Sequence, residues 1–248
     1  MRRLFWLPLV FAAAFPPSVL AQELLQQRLT SDRVGYIAPG SYLAGDKIAF
    51  TLDAAGASYL LRLAGSPEVF VLNQDPAAMG GRVLKYDSGE TALKVAGWGA
   101  LTLYVSSVPD GLPAERTGDS TPPASAPVSL VEVQSAAIDA ARHLSETRHL
   151  NLHFMADWSM LSANPATRAF ALDSMANAAR GIDRFVASPA ARDAVARRID
   201  TVAVSPSARP TTSLNGHTLI VTFNSGRGYL GRASSLAIAR TLGRLLSG

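Results

Sequence analysis

The sequence predicts an α+β protein in two parts: a small antiparallel β domain, then an α+β domain whose short antiparallel sheet is covered by helices. Three observations carry this. Short β-rich runs follow one another at a spacing of about 8–12 residues between Lys47 and Ser107. A Pro-rich stretch with five prolines covers residues 109–127. From Val128 the apolar period lengthens to steps of three and four residues, the spacing of an amphipathic helix.

Residues 1–21 come first. Arg2 and Arg3 precede a short apolar run from Leu4 to Phe15, then Pro16-Pro17 and small residues up to Ala21. That layout is a secretory signal peptide cleaved before Gln22. The run is too short for a membrane span, which needs about 20 apolar residues. The expected location is therefore periplasmic or secreted, with no transmembrane segment left after cleavage. "QELLQQRLTSDRV" then reads as a helical turn or two.

The first domain is expected over residues 30–108. "KIAFTLD", "SYLLRLA", "EVFVLN", "RVLKYD", "TALKVA" and "LTLYVSS" read as six strands of a small sandwich or barrel. Turn signals separate them, among them Gly65-Ser66-Pro67, Asp87-Ser88-Gly89 and Gly97-Trp98-Gly99. Residues 109–127 read as a linker.

The second domain is expected over residues 128–248. "VEVQSAAIDAARHL" is helical. Asn164 and Pro165 mark the start of a second helix whose core face would hold Ala169, Leu172, Met175, Ala176, Ala179 and Ile182. Ser188 and Pro189 start a third, and "RASSLAIARTLGRLL" closes the chain as an amphipathic helix. Strands are expected at 148–155, 200–205 and 217–223, the last two as a hairpin.

Composition excludes several chemistries. The chain has no cysteine, so disulfides, thiol nucleophiles, thiolate metal sites and iron–sulfur clusters are ruled out. Residues 22–127 hold 8 Lys and Arg against 11 Asp and Glu, whereas residues 128–248 hold 13 Arg against 8 acids. The shift supports two parts of separate character. The small net charge gives no reason to expect nucleic acid as a partner.

Four groups of residues are candidates for a site. His149 and His153 would share one helix face with Asp157, but the Glu of H-E-x-x-H is replaced by Leu150. Leu150, Leu152 and Phe154 alternate with polar residues, which is strand spacing. On a strand the two histidines stand about 13 Å apart, too far to share a metal. No metal site and no cofactor is expected; His149, His153 and Asp157 remain the candidates for an envelope hydrolase. "GRGYLG" (residues 226–231) matches G-x-G-x-x-G after a strand, but no acidic residue follows Asp200 to bind a ribose. What survives is an anion site at a glycine-rich helix start, with Arg227, Gly228 and Arg232. No G-x-S-x-G and no S-x-x-K follows the signal, and Asp87, Glu90 and Asp157 stand out no further than turn and surface carboxylates. Of the aromatics Tyr86, Trp98, Tyr104 and Trp158, Trp98 lies between two glycines, as in an exposed loop tip.

"ADWSM", "IDTVAV" and "SLNGHTLIVTF" in the second half resemble a pattern of uncharacterised bacterial exported proteins, and "GGRVLKYDSGETALKVAGWGALTLYV" resembles another domain of unknown function. The resemblance implies a β–α–α–β–β–α second domain and carries no known activity. The expected function is a non-catalytic binding module of the cell envelope, with a protein or small ligand as partner. The hydrolase and the anion-binding module are the alternatives.

Overall fold

The computed structural model describes residues 36–123 and 126–246. The expected signal segment and the turns at 22–35 lie outside them. Among the described residues, no helix is long and apolar enough to cross a membrane.

The N-terminal part corrects the first expectation. It is a closed eight-stranded antiparallel barrel rather than a small six-stranded domain. Its strands are β1 (Gly40–Ala44), β2 (Ile48–Ala55), β3 (Ser58–Leu63), β4 (Val69–Pro76), β5 (Arg82–Tyr86), β6 (Thr91–Val95), β7 (Leu101–Val105) and β8 (Val108–Gly118). Each pairs with the next, and β1 pairs with β8 to close the ring.

Closure needs β8, which falls inside the segment expected to be a linker. Pro109, Gly111 and Pro113 disguise it, and only Leu112 and Ala114 of this strand pack against the barrel core. A residue without N–H fits a strand where no ladder donor is required. Gly111 has φ +82°, and a Cβ there would lie 2.8 Å from both Thr102 and Tyr104. The interior is filled: Leu52, Leu61, Phe70, Leu72, Leu84, Leu93 and Leu103 are fully buried. Eight strands leave about enough room for side chains, so the barrel is a packed core.

The C-terminal part keeps the α+β character but not the antiparallel sheet. Its strands are β9 (His153–Ala156), β10 (Thr201–Pro206), β11 (Thr212–Asn215) and β12 (Thr218–Phe223), in the order β11-β12-β10-β9. β9, β10 and β12 run parallel. β10 and β12 are therefore not a hairpin. The Asn215-Gly216 turn does make one, but between β11 and β12. β11 reads "TSLN" with half its residues exposed, so no hydrophobic pattern marks it.

The helices are α1 (Leu130–Arg148), α2 (Trp158–Ala163), α3 (Arg168–Phe185), α4 (Pro189–Arg198) and α5 (Ser235–Leu246). α1 lies against β9, α3 against β10 and β12, and α5 against β11, with α3 packed between the other two. Being flanked on both sides, α3 buries Ala171, Ser174, Ala178 and Gly181 besides the expected Met175, Ala179 and Ile182. Asn164 precedes a 3-10 turn at Pro165–Thr167 and makes no side-chain cap. Ser188 does cap α4, accepting from the Ala191 N–H.

α1 starts with a capping box. Ser129 Oγ accepts from Glu132 N–H, and the Glu132 carboxylate accepts from Ser129 N–H. Ser129→Ala is expected to lower stability by about 1 kcal/mol, read as a shift in the urea midpoint at constant slope.

Candidate functional site

The antiparallel up-and-down topology sends alternate barrel loops to opposite ends. Glu68, at the β3–β4 loop, and Asp87 and Ser88, at the β5–β6 loop, share the end that meets α5. The N-terminus of α5 has free backbone N–H groups and a positive dipole end. Both carboxylates fill it. Glu68 accepts from Ser235 N–H and Oγ–H at 2.7 Å each. Asp87 accepts from Ser234 N–H at 2.8 Å and from the Ser234 hydroxyl. Arg240, one turn further along α5, donates to the Ser88 carbonyl.

Glu68 has a fully buried side chain, with Arg180 Nε at 3.5 Å and Arg184 Nη2 at 3.9 Å. Arg184 Nε also donates to Ser235 Oγ at 2.9 Å. Burial pulls the Arg180 guanidinium below its ordinary value, while Glu68 pushes it back up. The two halves of the chain thus meet through a buried polar network as well as through Leu236, which packs on the barrel core.

Asp87 as a residue keeps an exposed surface, but desolvation of its carboxyl against α5 raises it above the ordinary aspartate value, and the Ser234 hydrogen bonds only partly offset this. The folded protein therefore holds a proton on Asp87 at a pH where the unfolded chain has lost it. The stabilising share of this group is present below the ordinary value of about 3.9 and is lost as pH rises through the folded value. In urea titrations between pH 7 and pH 3, the stability difference between wild type and Asp87→Asn is expected to move in favour of the wild type as pH falls. A difference constant with pH would contradict the desolvation of this carboxyl at the junction.

Beside this junction lies a cleft of about 500 Å³ between β4, the β11 edge and α5. Arg227, Arg232 and Arg244 line it, with Asn73, Thr211, Thr212 and Thr241. Asp87 is the only acid in the lining, and it is held by Ser234. Arg232 is also committed: it is paired with Asp173 and stacked on Tyr229 at 4.2 Å and Phe170 at 5.4 Å. Burial pushes its guanidinium down to about 10, which leaves it charged at neutral pH. Arg244 donates to Thr241 Oγ1 and pairs with no carboxylate among the described residues, and Arg227 is exposed. A second cavity of the same volume lies between Phe70, Tyr86, Tyr104 and Leu236. Burial raises Tyr86 there to about 12. Its one cation, Arg184, is already bound to Glu68 and Ser235.

The model of a family described as a domain of unknown function, DUF4908, matches residues 22–242. The chain belongs to this family. A single DUF4908 model runs across both parts of the chain, in line with the resemblance to a domain of unknown function read from the sequence. No curated protein and no solved structure matches it.

In this DUF4908 chain the histidine stretch is split between elements. α1 runs through Arg148, and His149 takes a left-handed conformation (φ 56°, ψ 40°) that ends it. Only His153–Ala156 is strand. Leu150, Leu152, Phe154 and Ala156 are buried and alternate with exposed Asn151, His153 and Met155. Asp157 caps α2, accepting from Met160 N–H at 2.9 Å and Ser159 Oγ–H at 2.6 Å. Those two bonds, the Ser159 hydroxyl first, hold its carboxyl below the ordinary value. Among the described residues no group of three or more His, Cys, Asp or Glu could hold a metal ion, and neither histidine ring bonds to Asp157 or Ser159.

The anion candidates fare differently. Residues 225–231 form a 3-10 turn, not the start of α5, and Gly228 takes φ 53°, ψ −137°. The helix start is occupied by Glu68 and Asp87, which take the Ser235 and Ser234 N–H groups. The Arg227 and Arg232 side chains, by contrast, are brought into the cleft with Arg244. Sequence reasoning missed Glu68, Arg180, Asp87 and Arg244 as a group. The signal available was a lone carboxylate beginning an apolar strand, Glu68 in "EVFVLN".

Proposed function

We propose that this DUF4908 protein is a non-catalytic binding module of the cell envelope, exported through residues 1–21, and that it holds an anionic ligand in the arginine-lined cleft. The observation that carries the reading is the charge balance of that cleft. Among the described residues, two guanidiniums, Arg227 and Arg244, face it without a carboxylate, and the single acid in the lining is held by Ser234.

A guanidinium presents a planar fork of donors matched to carboxylate and phosphate oxygens. Thr211, Thr212, Thr241 and Asn73 add neutral polar groups around the charge. The ligand class is therefore a carboxylate or phosphate of modest size. The cleft is open and lies at the seam of the two parts, where ligand sites commonly occur.

Calorimetric titration with inorganic phosphate tests the site. Arg227→Gln and Arg244→Gln are each expected to weaken phosphate binding about tenfold, the loss of one charge-assisted hydrogen bond. Binding that survives unchanged in the double variant would falsify the assignment.

A further inference from the structure

The barrel end away from α5 carries a second surface, independent of the arginine cleft. Here the β4–β5 loop (residues 77–81) and the β6–β7 loop (residues 96–100) stand side by side. At their tips Met79 is 85% exposed and Trp98 79% exposed. Tyr36, 58% exposed, precedes β1 at the same end. These are three of the six large hydrophobic residues exposed among the described residues. Lone exposed apolar side chains are ordinary, whereas several gathered at one end are not.

The presentation is built rather than loose. Met79 sits at φ 53° and ψ 37°, a left-handed conformation costly for a side chain of its kind. A Cβ on Gly97 would lie 2.3 Å from the Met79 carbonyl oxygen, so the two loops are in backbone contact. Each loop is closed by hydrogen bonds: Ala77 N–H to Gly81 O and Gly81 N–H to Ala78 O in one, Ala96 N–H to Ala100 O and Gly99 N–H to Ala96 O in the other.

Beneath the tips runs an apolar groove of about 390 Å³ on the outer wall, whose lining contains Arg82 and Lys94 and no acid. Lys94 lies over the Tyr104 ring at 4.8 Å, which fixes its stem on the wall. Three acids of this end are already paired: Asp53 with Arg62, Asp75 with Lys85 and Asp119 with Arg116. Among the described residues Glu115 on β8 remains, against the two cations of the groove.

We propose that this end of the barrel docks on an anionic lipid bilayer. Trp98 and Met79 enter the interfacial region, and Arg82 and Lys94 meet the headgroup phosphates. An indole with an apolar body and one N–H donor suits that layer. Cations behind an apolar tip keep their stems in the interface and their charge in the headgroups. A protein partner would equally cover Trp98 and Met79. The bilayer is favoured because the groove is purely cationic and its apolar tips protrude from the barrel end opposite α5.

The test uses the full chain with Trp6→Phe and Trp158→Phe, so that Trp98 alone emits; any contact made by residues 1–21 is then silent. With vesicles of phosphatidylcholine containing one-third phosphatidylglycerol, Trp98 emission is expected to shift to the blue and its quenching by acrylamide to fall. Arg82→Gln and Lys94→Gln are each expected to weaken the half-saturating lipid concentration about fivefold, the factor for one basic side chain at an anionic surface. Met79→Ser is expected to weaken it as well, leaving the circular dichroism unchanged. Trp98 emission unmoved by vesicles overturns the proposal. So does an equal shift on pure phosphatidylcholine, or self-association in sedimentation that Trp98→Ala abolishes while vesicle binding is absent.

Discussion

Replacing Glu68 with alanine is expected to remove about 3 kcal/mol of stability, the low end of the range for breaking a buried pair on one side. The side chain is fully buried; Ser235 N–H and Ser235 Oγ–H donate to it, and the guanidiniums of Arg180 and Arg184 stand at 3.5 and 3.9 Å as ionic neighbours. Without it the first turn of α5 loses the anion at its positive end, and two arginines face each other across an empty site. The low end applies because those arginines are about one-third exposed and part of the charge is recovered by water. Glu68→Gln keeps an oxygen for the Ser235 N–H and is expected to cost about half as much. Urea unfolding followed by circular dichroism reads both. A loss below about 1 kcal/mol in Glu68→Ala would show that the two parts are held by apolar contact alone.

Gly181→Val is expected to cost about 3 kcal/mol, by overpacking rather than by loss of a contact. Gly181 lies in α3 where it crosses α5. A Cβ there would lie 2.7 Å from Cβ and Cγ2 of Ile238 and 3.0 Å from the Ser235 carbonyl. Ile238 is fully buried, so it has nowhere to retreat. Gly181→Ala has a compensating term, since alanine gains about 1 kcal/mol over glycine in a helix interior. Its net cost is expected near 1 kcal/mol. If the clash decides, Ile238→Ala in the Gly181→Val background restores part of the loss, which thermal unfolding of the single and double variants measures. A Gly181→Val protein as stable as wild type would mean the helices separate freely.

Both predictions concern α5, an element legible in the sequence as an amphipathic helix. What it does was not legible. "RASSLAIARTLGRLL" shows an apolar stripe, and nothing in it shows that Ser234 and Ser235 receive carboxylates from barrel loops about 150 residues earlier. The glycine-rich turn before it looked like an anion-binding helix start. The chain fills that start with its own acids and leaves the nearby arginines to the cleft.

The histidine stretch teaches a related lesson. Alternation of Leu150, Leu152 and Phe154 is a local property and appears in the structure as alternating burial. The boundary was misread because a helix can end on a left-handed residue other than glycine, and His149 does so. Asp157 looked like a member of a row of ligands, yet its nearest donors are the Ser159 hydroxyl and the Met160 N–H, two and three residues on.

By itself the sequence determined the order of β-rich and helical parts, the amphipathic faces, the cap at Ser188 and the Asn215-Gly216 turn, all features set by neighbours within a few residues. Only the tertiary structure decided that β8 closes a barrel, that β9, β10 and β12 run parallel, and that Glu68 and Asp87 end on α5. The physical reason is range. Periodicity and capping are energies of adjacent turns, whereas ring closure joins Leu43 to Glu115 and the junction joins Glu68 to Ser235. Such pairings are selected by the shape of a filled core and by the need to satisfy every buried charge, and neither is written in any one segment.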